Sequence, residues 1–132
     1  MTTAESRTIS HGPGQIHFYE QGEGTPFFML HGSGPGVTAW MNFSGNIGVF
    51  AEHFRCIAPD LPGYGQSTAT QGDPAAGAVD AVLHLMDSLG IERTHLLGNS
   101  YGSIVAARLA ANHPDRVDRL VTMGGIGVQL IS

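Results

Sequence analysis

Four short apolar segments are the feature that most limits how this 132-residue chain can fold. They cover residues 27–30, 54–58, 95–98 and 118–123, and each stops at glycine, proline or a polar residue. Short apolar runs bounded in this way are typical of strands that are covered on both faces of a sheet. We therefore expect four buried strands.

Helical patterns separate these segments. The clearest begins at Asp73, a capping residue, and Pro74, and it repeats apolar residues at helical spacing up to Gly90. A second helix is predicted over residues 101–112, and a weaker one, interrupted by glycines, within residues 40–50. Strands alternating with helices predict an α/β domain with a mostly parallel sheet and helices on both faces.

The residues before the first apolar segment and the chain length complete the predicted organisation. Residues 15–20 alternate apolar and polar side chains and predict an earlier strand, and the QGEG sequence of residues 21–24 predicts a hairpin turn. The length is that of one domain, assigned to residues 1–132. After the last predicted strand no further helix is indicated, so we expect this domain to be partial, cut short at its C-terminal end.

Composition excludes several functional classes. The net charge is −5, and the six Lys and Arg residues are scattered, which argues against nucleic-acid binding. Neither a secretory signal nor a membrane-spanning segment is apparent, so a soluble cytoplasmic protein is expected. The single cysteine, Cys56, excludes disulfide scaffolds and is expected in the core. No histidine pair has zinc-binding spacing, so no metal site is predicted.

Residues 98–102, Gly-Asn-Ser-Tyr-Gly, carry the clearest chemical signal. A serine between small residues, with a strand before it and a helix after it, matches the nucleophile elbow G-x-S-x-G. The sharp turn exposes the Ser100 hydroxyl, and free amides at the start of the helix favour a developing oxyanion. Ser100 is therefore the predicted catalytic nucleophile. The alternative is that Ser100 only caps the helix.

A second glycine-rich loop, His-Gly-Ser-Gly at residues 31–34, follows an earlier strand. In this architecture such a loop supplies the second oxyanion donor, and the amide of Ser33 is placed to do so. The alternative is an ordinary glycine-rich turn. A phosphate-binding loop is not supported, because the G-x-G-x-x-G and Gly-Lys-Ser/Thr patterns are both missing here.

These motifs together resemble a known family. His31-Gly32, the DLPGYGQS sequence of residues 60–67 and the elbow match the N-terminal half of an α/β-hydrolase in order and spacing. The HGSGPGVTAW sequence of residues 31–40, with Asn42 and residues 98–100, more narrowly resembles the meta-cleavage product hydrolases of bacterial aromatic degradation. Those enzymes hydrolyse carbon–carbon bonds of 2-hydroxy-6-oxo-dienoates.

The resemblance implies roles for particular residues. The amides of Ser33 and Tyr101 would form the oxyanion hole. Four residues would bind the substrate: Gly32, Gly34, Asn42 and Asn99. It also implies a small-molecule substrate, no metal or organic cofactor, and a whole protein that can form homo-oligomers. Asn99 has a second interpretation as a residue that tolerates the elbow backbone, and Asn42 as a helix cap.

The catalytic base is not evident in this chain. The fold orders its triad as serine, acid, histidine, and His113 is the only histidine after Ser100. A helix of twelve residues would separate the two by roughly 18 Å. The resemblance places the acid, the histidine and a helical lid in a C-terminal half, so this chain alone is expected to be inactive and poorly soluble.

Other functions remain open. A carboxylesterase or thioesterase would use the same elbow and loop, and it gains weight because Tyr101 and Ser103 replace the family's usual methionine and glycine. A non-catalytic binding domain of the same fold would explain the missing base. Epoxide hydrolases and haloalkane dehalogenases of this fold use an aspartate nucleophile, so Ser100 argues against both.

Overall fold

A computed structural model of the chain describes residues 3–124. Pairing between neighbouring strands organises these residues. The strands are β1 (Glu5–His11), β2 (Gly14–Gln21), β3 (Thr25–Leu30), β4 (Phe54–Pro59), β5 (Thr94–Asn99) and β6 (Val117–Met123). The helices are α1 (Ala39–Phe43), α2 (Ile47–Phe50), α3 (Pro74–Ser88) and α4 (Tyr101–Asn112), and a 3₁₀ turn covers Pro114–Arg116.

These strands form one sheet in the order β1-β2-β4-β3-β5-β6. Strands β3, β4, β5 and β6 are parallel, and β1 and β2 run antiparallel at one side. The predicted mostly parallel α/β architecture is confirmed. Each parallel connection carries a helix, as the geometry of parallel strands requires.

The hairpin turn predicted at residues 21–24 is wrong. Strand β4 lies between β2 and β3, so the chain leaves β2 at Gln21 and crosses to a non-adjacent position. Gly22 makes that crossing with φ of 90°, and a Cβ there would lie 2.2 Å from the Phe54 carbonyl oxygen. The hairpin instead joins β1 to β2 at Gly12 and Pro13.

Apolar residues of β3 alternate between two cores, one on each face of the sheet. Phe28 and Leu30 pack with the face that α3 and α4 cover, and Phe27 and Met29 pack with the face that α1 and α2 cover. Cys56 is fully buried in the second core, where burial raises the pKa of its thiol to about 11. Both predictions, helices on both faces and a core position for Cys56, are confirmed.

Two elements differ from the sequence prediction. The helix expected within residues 40–50 is two short helices, α1 and α2, separated by a turn that contains Gly45. Strand β6 forms where expected but is not covered on both faces, since Leu120 and Val121 are 39% and 49% exposed. Within residues 3–124, β6 pairs only with β5 and so lies at an edge of the sheet.

Candidate active site

Ser100 occupies a strained turn between β5, which ends at Asn99, and α4, which begins at Tyr101. Its backbone has φ of 55° and ψ of −114°, and among residues 3–124 it is the only non-glycine residue with positive φ. A conformation of this kind costs on the order of 1–3 kcal/mol and persists only where the surrounding structure imposes it. The sharp strand-to-helix turn predicted from the motif is therefore present.

The strain is imposed by a close approach of α4 to the end of β3. A Cβ on Gly102 would lie 2.1 Å from the Leu30 carbonyl oxygen, and a Cβ on Gly98 would lie 2.3 Å from the Gly102 carbonyl oxygen. Real side chains do not tolerate such distances, so glycine at both positions lets the helix start directly against the sheet. Only a tight turn at Ser100 connects two elements that lie this close.

Hydrogen bonds hold the turn from the side of β6. The Ser100 amide donates to the Met123 carbonyl oxygen at 2.7 Å. The buried Ser103 hydroxyl lies 2.9 Å from the Gly98 carbonyl oxygen and 2.8 Å from that of Met123. Ser103 therefore connects the end of β5 to the end of β6 next to the elbow.

The helix-capping alternative for Ser100 is not supported. Ser100 stands at the position before α4, yet its side chain makes no capping hydrogen bond. Its backbone carbonyl instead accepts a hydrogen bond from the Ser103 amide at 2.8 Å. A serine retained for capping would direct its hydroxyl to a backbone amide of the first helical turn.

The loop after β3 lies against Ser100. A Cβ on Gly32 would sit 3.3 Å from both the Asn99 carbonyl oxygen and Ser100 Cβ, so a side chain there would press against the elbow and glycine relieves this contact. The Gly32 amide donates to Asn42 Oδ1 at 2.9 Å. The same oxygen accepts a hydrogen bond from Asn99 Nδ2 at 3.1 Å. Asn42 therefore ties the glycine loop to the elbow.

These bonds bear on the second interpretation of Asn42. The N-terminus of α1 is capped by Thr38, whose Oγ1 accepts from the Met41 amide at 3.2 Å, so Asn42 is not the cap. Its side-chain oxygen serves the loop and the elbow instead. The Gly32 amide is therefore engaged by Asn42, and the next amide along the loop is that of Ser33.

The two proposed oxyanion donors lie on either side of this bridge. Ser33 is exposed in the loop, and Tyr101 is the first residue of α4, where a helix amide has no intrahelical partner. Within residues 3–124 neither amide donates to a protein acceptor. Gly34 lies further along the loop, in a turn closed by a 3.2 Å hydrogen bond from the Val37 amide to its carbonyl oxygen.

His31 supports the loop from below, as expected of a structural histidine. The Leu61 amide donates to its Nε2 at 2.9 Å, so the ring hydrogen is on Nδ1, which lies 2.7 Å from the Gly32 carbonyl oxygen. Burial lowers the pKa of His31, and the Gly32 hydrogen bond and the Asp60 charge oppose this only in part. Both nitrogens are occupied, so His31 cannot accept a proton from Ser100.

Asp60 is the residue that sequence reasoning missed. It is buried at the end of β4, where Oδ1 accepts from the Ala39 amide at 2.9 Å and Oδ2 from the Gln66 amide at 3.1 Å. A Cβ on Gly65, which has φ of 52°, would lie 2.3 Å from the carboxylate. Asp60 thereby anchors the start of α1, and with it Asn42. Asp60 is the first residue of the DLPGYGQS motif, but the motif alone does not indicate which groups its carboxylate binds.

Tyr101 places its ring beside Tyr64, with ring centroids 6.2 Å apart, and the Tyr64 ring lies 5.0 Å from that of His31. Burial, followed by the neighbouring Tyr64 and Asp73, raises the pKa of the Tyr101 phenol. The side chain therefore contributes a neutral aromatic surface near the elbow.

His113 does not meet Ser100. It follows the last residue of α4, and a helix of 12 residues is roughly 18 Å long. Within residues 3–124, no group of three or more His, Cys, Asp or Glu side chains is arranged to hold a metal ion. None of the helices in the described part of the chain is long and apolar enough to span a membrane.

Comparison with known proteins agrees with this geometry. The family model for the alpha/beta hydrolase fold matches residues 25–130. The chain belongs to the α/β-hydrolase family. It is 44% identical over 116 residues to a 2-hydroxy-6-oxo-6-phenylhexa-2,4-dienoate hydrolase of Comamonas testosteroni, covering 86% of this chain and 41% of that relative.

Two further comparisons point to the same group of α/β-hydrolases. The chain is 43% identical over 120 residues to a 2-hydroxymuconate semialdehyde hydrolase of Pseudomonas sp. strain CF600, covering 86% of this chain and 41% of that protein. Among solved structures, the 2-hydroxy-6-oxo-6-phenylhexa-2,4-dienoate hydrolase of Rhodococcus sp. strain RHA1 superposes with a TM-score of 0.90 at 32% identity, covering 96% of this chain and 48% of that one.

The chain spans about two fifths of the length of these curated relatives. The resemblance to meta-cleavage product hydrolases is confirmed, and the sheet and helices described above represent part of the relatives' fold. The elbow geometry is that of the α/β-hydrolase fold, and the sequence similarity narrows the resemblance to this branch.

The close approach of α4 to β3 predicts that adding one methyl group at Gly102 destabilises the protein. Gly102→Ala places a Cβ against the Leu30 backbone carbonyl, which cannot move without shifting β3, and should lower the free energy of unfolding by about 1–3 kcal/mol or more. Urea denaturation of protein from the complete reading frame measures this change.

Gly45→Ala is the matched control. A Cβ at Gly45 meets nothing within 4 Å and the residue is not among those with positive φ, so the change should be neutral or stabilise by up to about 1 kcal/mol. Equal effects of the two substitutions would show that α4 does not pack against β3 as described.

Proposed function

We propose that the protein containing this chain hydrolyses carbon–carbon bonds in 2-hydroxy-6-oxo-dienoates, the ring-cleavage products of aromatic compounds, and that Ser100 is its nucleophile. The observation that carries the proposal is the contact between the strained Ser100 turn and the loop of Gly32, bridged by Asn42 and Asn99. The substrates for which the similar hydrolases are named, a phenylhexadienoate and a muconate semialdehyde, support the substrate class.

The reaction needs a carbonyl carbon to receive the serine oxygen. In a 2-hydroxy-6-oxo-dienoate that carbon is C6, and attack by Ser100 Oγ converts its oxygen to an oxyanion. The dienoate must first become its 2,6-dioxo tautomer, in which the C2 hydroxyl has lost its proton and C5 has gained one. When the C6 carbonyl re-forms after the attack, the C5–C6 bond breaks; its electron pair forms the C4–C5 double bond, the C3–C4 double bond moves to C2–C3, and the negative charge comes to the C2 oxygen. A proton on that oxygen completes the 2-hydroxypentadienoate leaving group, and water then releases the acid from Ser100.

The oxyanion is the charge that the site must stabilise. The amides of Ser33 and Tyr101 are proposed as its two donors, and Gly34 as part of the loop surface against the substrate. Donors of this kind contribute most when they are fixed before the reaction starts. Asn42 fixes one side by holding the Gly32 amide, and the start of α4 fixes the other.

The asparagines suit a substrate that carries a carboxylate and an enol. A neutral amide offers both a donor and an acceptor without titrating. The Asn99–Asn42 bond uses one hydrogen of Asn99 Nδ2 and a lone pair of Asn42 Oδ1, so Asn42 Nδ2 and Asn99 Oδ1 keep capacity for a ligand. The proposal also requires an acid and a histidine after Ser100, in the chain order of this fold.

Ser100→Ala tests the nucleophile. In protein from the complete reading frame, the variant should lose dienoate cleavage by several orders of magnitude, because Ser100 is the group proposed to form the acyl intermediate with C6. The assay follows the loss of dienoate absorbance, and hydrolysis of a nitrophenyl ester is measured in parallel. Gly45→Ala, which is remote in sequence and unobstructed, is the control for expression and folding.

The two assays separate the possible outcomes. Ester hydrolysis without dienoate cleavage would replace the carbon–carbon assignment with a carboxylesterase or thioesterase. Dienoate cleavage that survives Ser100→Ala unchanged would reject the nucleophile. Absence of both activities in the complete protein would favour a non-catalytic member of the fold.

Asn42→Ala tests the bridge. Loss of Oδ1 frees the Gly32 amide and Asn99 Nδ2, so the Ser33 donor should be misplaced and kcat should fall by about 10²-fold, comparable with removing one oxyanion donor. Steady-state kinetics on the dienoate measure the change.

Asn46→Ala provides the matched comparison, since Asn46 precedes α2, is exposed and makes no side-chain capping bond. Its kinetics should equal those of the unmodified protein. A kcat for Asn42→Ala within twofold of the Asn46→Ala value would remove Asn42 from the catalytic arrangement.

A further inference from the structure

A second serine–histidine–aspartate chain lies away from the elbow. Ser6 of β1, His17 of β2 and Asp60, which follows β4, come from three neighbouring strands. Ser6 Oγ lies 2.6 Å from His17 Nε2, and His17 Nδ1 lies 2.8 Å from Asp60 Oδ2. We propose that this arrangement activates the Ser6 hydroxyl as an acceptor of small acyl groups, a covalent site separate from Ser100.

The hydrogen positions follow from the partners of Asp60. An ionised carboxylate only accepts hydrogen bonds, and Asp60 already accepts from the amides of Ala39 and Gln66. His17 Nδ1 must therefore carry the hydrogen in the bond to Asp60. In the neutral ring Nε2 then has a lone pair directed at Ser6 Oγ, which is the arrangement in which an imidazole removes a serine proton.

The proposed base and the proposed nucleophile differ in burial, since His17 is buried and Ser6 is exposed. The side chains of His17 and Asp60 are only 1% and 3% exposed, and the Tyr19 ring packs edge-on against the imidazole at 4.8 Å. The His17 amide donates to Ser67 Oγ at 2.9 Å, which further fixes the strand. Ser6, in contrast, is exposed, so a reagent in solution can reach a hydroxyl whose base is held rigidly.

Acylation of Ser6 by an activated ester requires no further reactant. Ser6 Oγ forms a bond to the carbonyl carbon of an activated ester, and the bond from that carbon to the aryloxy oxygen breaks. The Ser6 proton passes to His17 Nε2 and then to the leaving phenolate. Tyr19 stands directly across from Ser6 in the sheet and limits the space beside it, which favours small acyl groups.

The experiment uses protein from the complete reading frame that carries Ser100→Ala, so the proposed nucleophile of the main reaction is removed. The protein is incubated with p-nitrophenyl acetate, and peptide mass spectrometry follows acetylation of individual serines. Ser6 should be acetylated about tenfold or more faster than Ser10, an exposed serine of the same strand. Adding His17→Gln should reduce the Ser6 rate to that of Ser10.

A second pair of variants keeps His17 in place. Ser6→Cys and Ser10→Cys are compared for alkylation by iodoacetamide, with the buried Cys56 as a slow internal reference. An adjacent imidazole promotes thiolate formation, so Ser6→Cys should react about tenfold or more faster than Ser10→Cys. Equal rates at the two positions in either assay, or fast Ser6 acetylation that His17→Gln leaves unchanged, would overturn the proposal.

Discussion

The close approach of α4 to the end of β3 is the contact on which the rest of the site depends. Gly102 lies where any side chain would overlap the Leu30 carbonyl, and Gly98 lies where one would overlap Gly102. The connection between β5 and α4 is therefore so short that Ser100 adopts a positive φ. The same crossing brings the loop after β3 to Ser100, because that loop begins one residue after Leu30.

The opposite side of the site depends on a buried carboxylate. Asp60 holds the start of α1 through Ala39, while His31 joins Leu61 to the Gly32 carbonyl. Asn42, in α1, then reaches the Gly32 amide and Asn99. Loop, helix and elbow are thus connected by bonds between partly or fully buried groups, where each bond matters more than it would in water. The proposed roles of Ser33 and Tyr101 rest on this connection.

Sequence patterns predicted most of the fold because the central strands are apolar and the helices carry clear boundaries. Asp73 caps α3 as predicted, and the parallel order follows from the alternation of elements. Strand β1 was missed because its side chains are mostly exposed and polar, so no apolar period marks it. The turn at Gly22 was misread because a glycine that passes close to the start of β4 has the same local sequence signal as a glycine in a hairpin.

The sequence predicted the local parts of the site but not the contacts between residues that are distant in sequence. The elbow is a local motif, and Ser100, Gly98 and Gly102 are close in sequence. The Asn42–Asn99 contact joins residues 57 positions apart, so its pairing depends on the sheet order, which no local pattern encodes. The bonds of Asp60 to His17, Ala39 and Gln66 are of the same long-range kind, and their convergence is visible only in three dimensions.

The proposed mechanism requires that the elbow hold the Ser100 hydroxyl beside the amides of Ser33 and Tyr101. The most direct measurement is a crystal structure of protein from the complete reading frame after reaction with a fluorophosphonate. We expect phosphonylation of Ser100, with the phosphonyl oxygen within hydrogen-bond distance of both amides. Absence of phosphonylation at Ser100, or an adduct whose oxygen points away from both amides, would contradict it.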